Sequence, residues 1–339
     1  MQQIVIARHG APNVLELRES GDPEAQGREI RIRVKAAGVN FADLMARIGI
    51  YRDAPKPPCV VGFEVAGIVD QLGPDVSTDI QIGDRVLAMP RFGGYSDVIS
   101  VPADYVFRMP DTMSFEQGAA FPTVYLAAHH ALVHMGPLRS ESKVLIHSAA
   151  GGVGVAAIQL AKRNGCTVFG TASPDKHDFL REVGCDHPFG YDDWSDGVRR
   201  IVEDAGIDVV LDPVGGRSWS QSYDLLGPCG RLVCFGASMN GSKRRNLMQV
   251  LRFFSQMPHF KPLRLMDDNR QVGGFNLRRL FDHPSIIRSQ MKTLLKLFEQ
   301  GEIAPRIDRI FTFDEAAKAH MWLHDRKARG KVILTAAPL

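Results

Sequence analysis

Residues 144–162 read VLIHSAAGGVGVAAIQLAK. An apolar run, a glycine-rich turn and a helical run follow one another, which is the order of a strand, a phosphate-binding turn and a helix. Gly151 and Gly152 remove side chains where a backbone must approach a pyrophosphate, and Gly154 permits close packing of the helix on the strand. The spacing is Ala-x-Gly-x-x-Gly, so the flanking pattern carries the prediction, and a tight turn without a ligand is the alternative. The predicted contacts are Ala150, Gly151, Gly152, Val153 and Gly154.

The pattern on either side of this turn predicts the fold. Residues 29–37 alternate apolar and polar side chains, as a half-buried strand does, and the first part of the chain is mainly of this kind. After Pro122, strand-like runs at 143–147, 167–171, 209–211 and 232–235 alternate with helical runs. This alternation predicts an α/β fold with a Rossmann-type, doubly wound parallel sheet, joined to a mainly β region.

The residues after the second strand of the sheet bear on which nucleotide binds. A site for NAD usually has an acidic residue there, about 20 residues after the glycines. This chain has Ser173 and Lys176, which suit a 2′-phosphate and favour NADPH, although Asp175 keeps NADH possible. Ser173 could instead cap a helix that begins at Pro174.

Bulk properties exclude several classes of protein. A length of 339 residues predicts two domains. A formal charge of +3 argues against a nucleic-acid partner. The N-terminus has no secretory pattern and no apolar run is long enough to span a bilayer, so we expect a cytoplasmic protein. Membrane contact is not favoured, because polybasic attraction to a bilayer is modest per residue and the phosphate-binding turn is intact.

Metal binding is not expected from the ligand types and their spacing. His130 and His134 are four residues apart in an apolar helical stretch that also contains His129, but the glutamate of the zinc-protease signature is missing. The five cysteines are dispersed and never spaced as Cys-x-x-Cys. We therefore predict no metal and place these histidines in a core or on a helix face.

Five motifs lie at residues 39–43, 49–51, 62–67, 83–86 and 149–154. Together they resemble the quinone oxidoreductase (ζ-crystallin) branch of the medium-chain dehydrogenase/reductase superfamily, over nearly the whole chain. Within that branch, the segments 212–216, 245–248 and 274–277 look most similar to vesicle amine transport protein homologues.

The resemblance implies a zinc-independent site and a discontinuous domain. Zinc-dependent relatives have a cysteine where this chain has Asn40 and a histidine where it has Phe63, and they carry a four-cysteine lobe that is lacking after Val101. Residues 1–121 and 282–339 would form a GroES-like catalytic domain, and residues 122–281 a Rossmann dinucleotide-binding domain inserted between them.

The resemblance also implies site residues. Asn40 and Tyr51 would be catalytic and lie beside the nicotinamide, although Asn40 could serve only a loop backbone and Tyr51 only an apolar patch. Thr123 would contact the cofactor, and Ser173, Lys176 and Tyr191 would lie near its adenosine phosphate. The nicotinamide end would be lined by Val214, Gly215, Phe235, Gly236, Phe275, Asn276 and Leu277.

The expected activity is hydride transfer from NADPH to a small-molecule quinone, enone or acyl-CoA substrate, and the family suggests a homodimer. A basic stretch that includes Lys243–Arg245, Arg252, Lys261, Arg264 and Arg270 fits the phosphates of an enoyl-CoA thioester. The same stretch suits an alternative function, a non-catalytic or membrane-peripheral binding protein of the vesicle amine transport type. The sequence leaves these acceptors and the alternative open.

Overall fold

A computed structural model describes residues 1–237 and 255–336. The chain divides into two compact units, one formed by Met1–Leu126 with Leu280–Leu339 and the other by Ala127–Arg279. The sequence-derived boundaries, 1–121 with 282–339 and 122–281, stay a prediction of where the functional domains begin and end.

The N-terminal part of the first unit is mainly β, and its three helices are short. The strands are β1 (Gln2–Ile6), β2 (Leu15–Glu19), β3 (Glu29–Val39), β4 (Cys59–Val60), β5 (Val65–Leu72), β6 (Arg85–Ala88), β7 (Val98–Pro102) and β8 (Val106–Arg108), and the helices are α1 (Phe41–Arg47), α2 (Phe115–Ala120) and α3 (Pro122–His129).

Strands and helices alternate in the second unit. In the described part of this unit, the strands are β9 (Lys143–Ile146), β10 (Thr167–Thr171), β11 (His187–Phe189), β12 (Ile207–Asp212), β13 (Leu226–Cys234) and β14 (Gln271–Gly274), and the helices are α4 (Gly152–Arg163), α5 (His177–Glu182), α6 (Trp194–Val202), α7 (Arg217–Asp224) and α8 (Pro262–Asp267).

The chain then returns to the first unit. The elements there are α9 (Pro284–Glu299), β15 (Ile307–Thr312), α10 (Ala316–His324) and β16 (Lys331–Thr335).

The first unit is built on β3, whose alternating pattern the sequence predicts. Ile30, Ile32 and Val34 are buried, whereas Arg31 and Arg33 point away from the core and pair with Asp70. Strand β3 lies in a seven-stranded sheet of order β15-β16-β3-β5-β6-β8, with β7 also paired to β3, and a three-stranded sheet has the order β2-β1-β4. The pairing of Val332 with Val39 brings the end of the chain beside its beginning.

The second unit contains a six-stranded parallel sheet of order β11-β10-β9-β12-β13-β14. The connections run one way from β9 to β10 and β11, and the other way from β12 to β14, so the direction reverses between β9 and β12. In such sheets the reversal point is where ligands bind, at the carboxyl ends of the strands. The predicted α/β fold with a doubly wound sheet and a mainly β domain is confirmed.

The apolar helical stretch that holds His129, His130 and His134 has an irregular second half. Helix α3 is followed by one π-helical turn, His130–His134, and Arg231 donates from Nη2 to the carbonyl of Leu132 at 2.6 Å. Within the part of the chain that is described, no helix is both long and apolar enough to cross a bilayer.

Candidate functional site

Every predicted cofactor contact of the second unit lies just after the carboxyl end of a parallel strand, in a loop or in the first helical turn that follows it. These loops follow six neighbouring strands, so one edge of one sheet holds residues that are up to 127 positions apart in the sequence. The loops contain Ala150–Gly154 after β9, Ser173 and Lys176 after β10, Tyr191 after β11, Val214 and Gly215 after β12, Phe235 and Gly236 after β13, and Phe275–Leu277 after β14.

The glycine-rich turn presents the unpaired end of a helix. Gly151 precedes α4 with φ −81° and ψ 172°, and no side chain caps the helix. The N–H of Val155 bonds to the carbonyl of Gly151, so the N–H groups of residues 152–154 have no acceptor inside the helix. A Cβ on Gly154 would lie 2.3 Å from the carbonyl oxygen of Ala149, which explains this glycine by close packing. Free N–H groups and the helix dipole fit a pyrophosphate.

The residues predicted near the adenosine phosphate differ in exposure. The Ser173 hydroxyl does not cap the 3-10 turn Pro174–Lys176, so the capping role is not observed. Lys176 is buried and Tyr191 is exposed. The helical run between β10 and β11 is a 3-10 turn followed by α5.

An aromatic stack lies at the other end of the loops. The rings of Phe235 and Phe275 are parallel, with centroids 5.7 Å apart, and His130 packs on Phe275 at 4.9 Å. His134 stacks on His130 at 4.8 Å. His130 is buried and His134 is exposed, which agrees with the prediction that these histidines lie in a core or on a helix face.

Asn40, Tyr51 and Thr123 belong to the first unit. Asn40 precedes α1, and its backbone N–H donates to Asp43 Oδ2 at 2.8 Å. Tyr51 packs edge-on against Phe63, with centroids 5.9 Å apart. The hydroxyl of Thr123 is buried and makes no hydrogen bond in the structure, so it is an orphaned polar atom that a cofactor or substrate would satisfy.

A buried ion pair fixes the orientation of the Asn40 amide. Lys331 Nζ lies 2.5 Å from Glu64 Oε1, and both side chains are almost fully buried. Lys331 also donates to Asn40 Oδ1 at 2.7 Å and to the Val39 carbonyl at 2.9 Å, while Asn40 Nδ2 donates to Glu64 Oε1 at 2.8 Å. An ammonium can only donate and a carboxylate only accept, so the amide oxygen must face Lys331 and the amide nitrogen Glu64.

Glu64 also holds the beginning of α3. Its Oε2 accepts the backbone N–H of Thr123 at 2.8 Å, near the positive end of that helix. A Cβ on Gly38 of β3 would lie 2.6 Å from Glu64 Oε1 and 2.3 Å from the Ala119 carbonyl oxygen. Sequence reasoning missed Glu64 and Lys331. The available signal was a single charged residue in each of two otherwise apolar strand-like runs.

A second buried hydrogen-bond network joins Asp43 to the side chains of Tyr95, His320 and Arg47. Arg47 Nε donates to His320 Nδ1 at 3.2 Å, so His320 Nε2 carries the proton and donates to the Tyr95 hydroxyl at 3.2 Å. Tyr95 in turn donates to Asp43 Oδ2 at 3.1 Å. Burial raises the pKa of Asp43 to about 7 and lowers the pKa of His320 to about 3, the latter with help from Arg47.

The donor set gives no sign of a metal centre. Within residues 1–237 and 255–336 there is no group of three or more His, Cys, Asp or Glu side chains placed to hold an ion. The positions at which zinc-dependent relatives would carry ligands hold Asn40 and the buried ring of Phe63. The absence of zinc from the mechanism stays a prediction.

Part of the basic stretch lies outside the described residues, namely Lys243–Arg245 and Arg252, as does the 245–248 segment of the resemblance. Lys261, Arg264 and Arg270 lie within the described residues. Arg264 and Arg270 both pack over the ring of Tyr223.

Comparison with known proteins identifies the family. Residues 26–111 match the alcohol dehydrogenase GroES-like domain, and residues 183–334 match the family described as zinc-binding dehydrogenase. The synaptic vesicle membrane protein VAT-1 homolog of Danio rerio is 39% identical over 341 aligned residues, which cover 99% of this chain and 70% of that protein. The chain belongs to the medium-chain dehydrogenase/reductase family.

Solved structures of medium-chain reductases agree with this assignment. The Escherichia coli quinone oxidoreductase complexed with NADPH has a TM-score of 0.86 and 28% identity, covering 99% of this chain and 100% of that one. The CurK enoyl reductase has a TM-score of 0.85 and 28% identity, covering 99% of both chains. The medium-chain family is one of oxidoreductases, and the resemblance seen in the sequence is confirmed.

Proposed function

We propose that this chain is an NADPH-dependent reductase that transfers a hydride, without zinc, to an α,β-unsaturated carbonyl or a quinone. The observation that carries the proposal is the gathering of six predicted contact loops at one edge of a parallel sheet, around a helix end without a cap. A relative with 28% identity is described as complexed with NADPH, which supports the choice of nucleotide.

The chain's own groups suggest how the nucleotide would be held. Residues 152–154 would donate N–H groups to the pyrophosphate, and Ser173, Lys176 and Tyr191 would contact the adenosine 2′-phosphate. Thr123 would donate its hydroxyl, which is otherwise unsatisfied. The nicotinamide end would be lined by the Phe235–Phe275 stack and by Val214, Gly215, Gly236, Asn276 and Leu277. When bound, NADPH supplies the hydride.

Asn40 would stabilise negative charge on the acceptor oxygen. One Nδ2 hydrogen bonds to Glu64, which leaves the second for a substrate oxygen. Lys331 polarises the amide by donating to its oxygen, and a hydrogen bond from such an amide to a developing enolate is stronger than one to a neutral carbonyl. Because Lys331 and Glu64 hold the amide in place, it would need little reorganisation during reaction.

Tyr51 would complete the reduction by supplying a proton, directly or through water, to the α-carbon of an enone or to the oxygen of a reduced quinone. Its ring packs against Phe63, which packs in turn on Phe92 at 5.2 Å, so an apolar wall stands beside the phenol. A wall of this kind suits a flat, conjugated acceptor.

A substrate panel tests the proposal. The purified protein would be assayed with NADPH and with NADH against 2-enones, quinones and crotonyl-type CoA esters, using one preparation throughout. We expect NADPH oxidation with at least one of these classes. Rates for enones that equal those for the matching CoA esters would contradict a role for the basic residues in binding CoA, and no oxidation with any class would contradict the reductase assignment.

A second candidate is peripheral binding to an anionic membrane surface. It rests on α8, where Leu263 and Met266 are 73% and 70% exposed beside Lys261 and Arg264. The relative in Danio rerio is named a vesicle membrane protein. Flotation with phosphatidylserine vesicles tests it, and strong vesicle binding by a protein without NADPH affinity would favour this candidate over the reductase.

A further inference from the structure

A buried polar network lies beneath the proposed cofactor loops. His147 directly follows β9, and Asp212 is the last residue of the neighbouring strand β12. Both side chains are buried, at 3% and 0% exposure, and the N–H of His147 bonds to the carbonyl of Leu211 on β12. The network therefore sits where the sheet reverses its winding.

Asp212 binds the turn that follows β12. Its Oδ1 accepts the backbone N–H groups of Val214 at 2.8 Å and of Gly215 at 3.4 Å. Its Oδ2 accepts the hydroxyls of Ser218 at 2.6 Å and Ser222 at 2.9 Å, both from α7. Four donors compensate the buried carboxylate, so the shape of this turn depends on that side chain.

Counting donors fixes the direction of the remaining hydrogen bonds. Ser222 has one proton and gives it to Asp212, so its oxygen accepts from His147 Nε2 at 3.0 Å. His147 Nδ1 is then an acceptor, and the hydroxyl of Thr171 donates to it at 3.1 Å. The Thr171 oxygen accepts the backbone N–H of Ser148 at 3.3 Å. One continuous chain of hydrogen bonds joins Ser148 to Asp212.

The two ends of this chain are the two turns proposed to hold the cofactor. Ser148 has a φ of +55°, which non-glycine residues rarely adopt, and its carbonyl accepts the N–H of Gly151 in the pyrophosphate turn. Gly215 has a φ of +88° in the turn bound by Asp212. Ser148 thus has a strained backbone conformation that its surroundings must support, whereas Gly215 adopts its positive φ without strain and its turn is held by Asp212.

We propose that Thr171, His147 and Ser222 are positioning residues that set the pyrophosphate turn and the Val214–Gly215 turn at a fixed distance for one cofactor molecule. The inference rests on the proposed NADPH-dependent function and names residues that would never touch the nucleotide. The His147–Ser222–Asp212 arrangement is not a nucleophilic site, because Ser222 is fully buried and its proton already bonds to Asp212.

The chain of hydrogen bonds requires a neutral His147 ring, and the residues around His147 keep it neutral. Trp194 packs edge-on against its ring, with centroids 4.4 Å apart, and burial lowers the pKa of His147 despite the nearby Asp212 carboxylate. A doubly protonated ring could not accept from Thr171.

Isosteric variants test the proposal. Thr171→Val and Ser222→Ala each break the chain of hydrogen bonds with little change in shape, Thr171→Ser keeps the hydroxyl, and Ser142→Ala removes a buried serine of the same unit outside the network. We expect Thr171→Val and Ser222→Ala each to raise the NADPH dissociation constant about tenfold, equal to about 1.4 kcal/mol. Thr171→Ser should restore affinity, Ser142→Ala should stay within about twofold of wild type, and the double variant should bind no more weakly than the weaker single variant.

Two results would overturn the inference while leaving the proposed function standing. One is wild-type NADPH affinity in Thr171→Val and Ser222→Ala, and the other is full additivity in the double variant. Nitrogen-15 NMR of His147 in the wild-type protein without nucleotide gives a readout that does not depend on variant folding, and we expect the Nε2–H tautomer. The Nδ1–H tautomer would refute the network, whereas failure of the wild type to bind any nicotinamide nucleotide would refute the proposed function and this inference together.

Discussion

Asn40 has two hydrogens on its amide nitrogen, and Glu64 takes one of them. If the other stabilises the substrate oxygen, Asn40→Ala should lower kcat about 100-fold to 1,000-fold, the usual loss for one such donor. The Lys331–Glu64 pair would persist, because those two side chains contact each other directly. Steady-state kinetics with NADPH and the best acceptor checks this.

Asn164→Ala is the matched control for Asn40→Ala. The Asn164 amide donates to the carbonyl of Leu160 at the end of α4, so its loss should leave kcat within about twofold. A normal kcat in Asn40→Ala would show that its amide serves only the loop.

Lys331 lets a carboxylate lie inside the protein. Lys331→Met should lower the free energy of unfolding by about 3–5 kcal/mol, because it leaves Glu64 buried without a counterion. Urea denaturation at neutral pH measures the loss, and the double variant with Glu64→Gln should recover part of it. A double variant less stable than Lys331→Met alone would contradict this account.

Asp43 and His320 give opposite pH dependences. Between about pH 4 and 7 the folded protein keeps a proton on Asp43 that the unfolded chain releases, so Asp43 lowers stability as pH rises. Between about pH 3 and 6.5 the His320 side chain is protonated in the unfolded chain but stays neutral in the folded protein, so His320 lowers stability as pH falls. The two effects oppose each other where the ranges overlap.

Single variants separate these two effects. From pH 6.5 to 4.5, the free energy of unfolding should rise relative to wild type in His320→Gln and fall relative to wild type in Asp43→Asn. Urea titrations at pH 4.5, 5.5 and 6.5 measure both slopes. Parallel curves for the three proteins would show that neither group titrates as the structure implies.

At the level of the element, Gly151 and Gly154, two of the three glycines at the β9–α4 junction, distinguish a packing role from a binding role. A Cβ on Gly154 meets the Ala149 backbone, whereas one on Gly151 lies 3.4 Å from the Ser148 carbonyl oxygen, an ordinary contact. Gly154→Ala should cost about 1–3 kcal/mol of stability and weaken NADPH binding. Gly151→Ala should leave the melting temperature nearly unchanged and still raise the NADPH dissociation constant, because its methyl group stands where the pyrophosphate approaches.

Thermal denaturation and NADPH titration of both glycine variants measure these effects. Unchanged NADPH affinity in Gly151→Ala would contradict pyrophosphate binding at this turn and would favour the alternative, a tight turn without a ligand.

Helices and strands could be predicted from the sequence where apolar side chains recur with a clear strand or helix period. The alternation at 29–37 lies within β3, and the run at 143–147 with its glycines gave β9 and α4 almost to the residue. In the second unit, helices α6, α7 and α8 and strands β11 and β14 were missed. Helix α7 carries Ser218 and Ser222, whose hydroxyls turn inward to Asp212, so its buried face is partly polar and lacks the apolar period that marks a helix.

At the level of the whole molecule, partners distant in sequence escape any local pattern. Lys331 and Asn40 are 291 residues apart, and His147 and Ser222 are 75 apart. The resemblance supplied Asn40 and Thr123 as candidates, but only the pairing of β16 with β3 brings Lys331 to Asn40. The sequence thus predicts which loops would form the site, and the three-dimensional packing supplies the residues that hold them.

The preference of the whole protein for NADPH over NADH can be measured by calorimetry, as the rise in unfolding temperature that each nucleotide causes. A ligand at 100 times its dissociation constant stabilises the folded state by about 2.7 kcal/mol. At equal concentrations NADPH should therefore raise the unfolding temperature more than NADH does, and Ser173→Ala should shrink the difference because its hydroxyl is predicted to bind the 2′-phosphate. Equal shifts with both nucleotides would contradict the preference for NADPH.

The pairing of β16 with β3 has a consequence for biosynthesis. During translation, Asn40 and Glu64 leave the ribosome long before Lys331 is made, so the nascent chain carries Glu64 without its counterion and leaves residues 36–39 of β3 unpaired on one edge. Any polypeptide that stops short of residue 331 keeps both defects. Assembly of the proposed catalytic amide therefore waits until the chain has been made beyond residue 331, and shorter products would keep an unpaired stretch of β3.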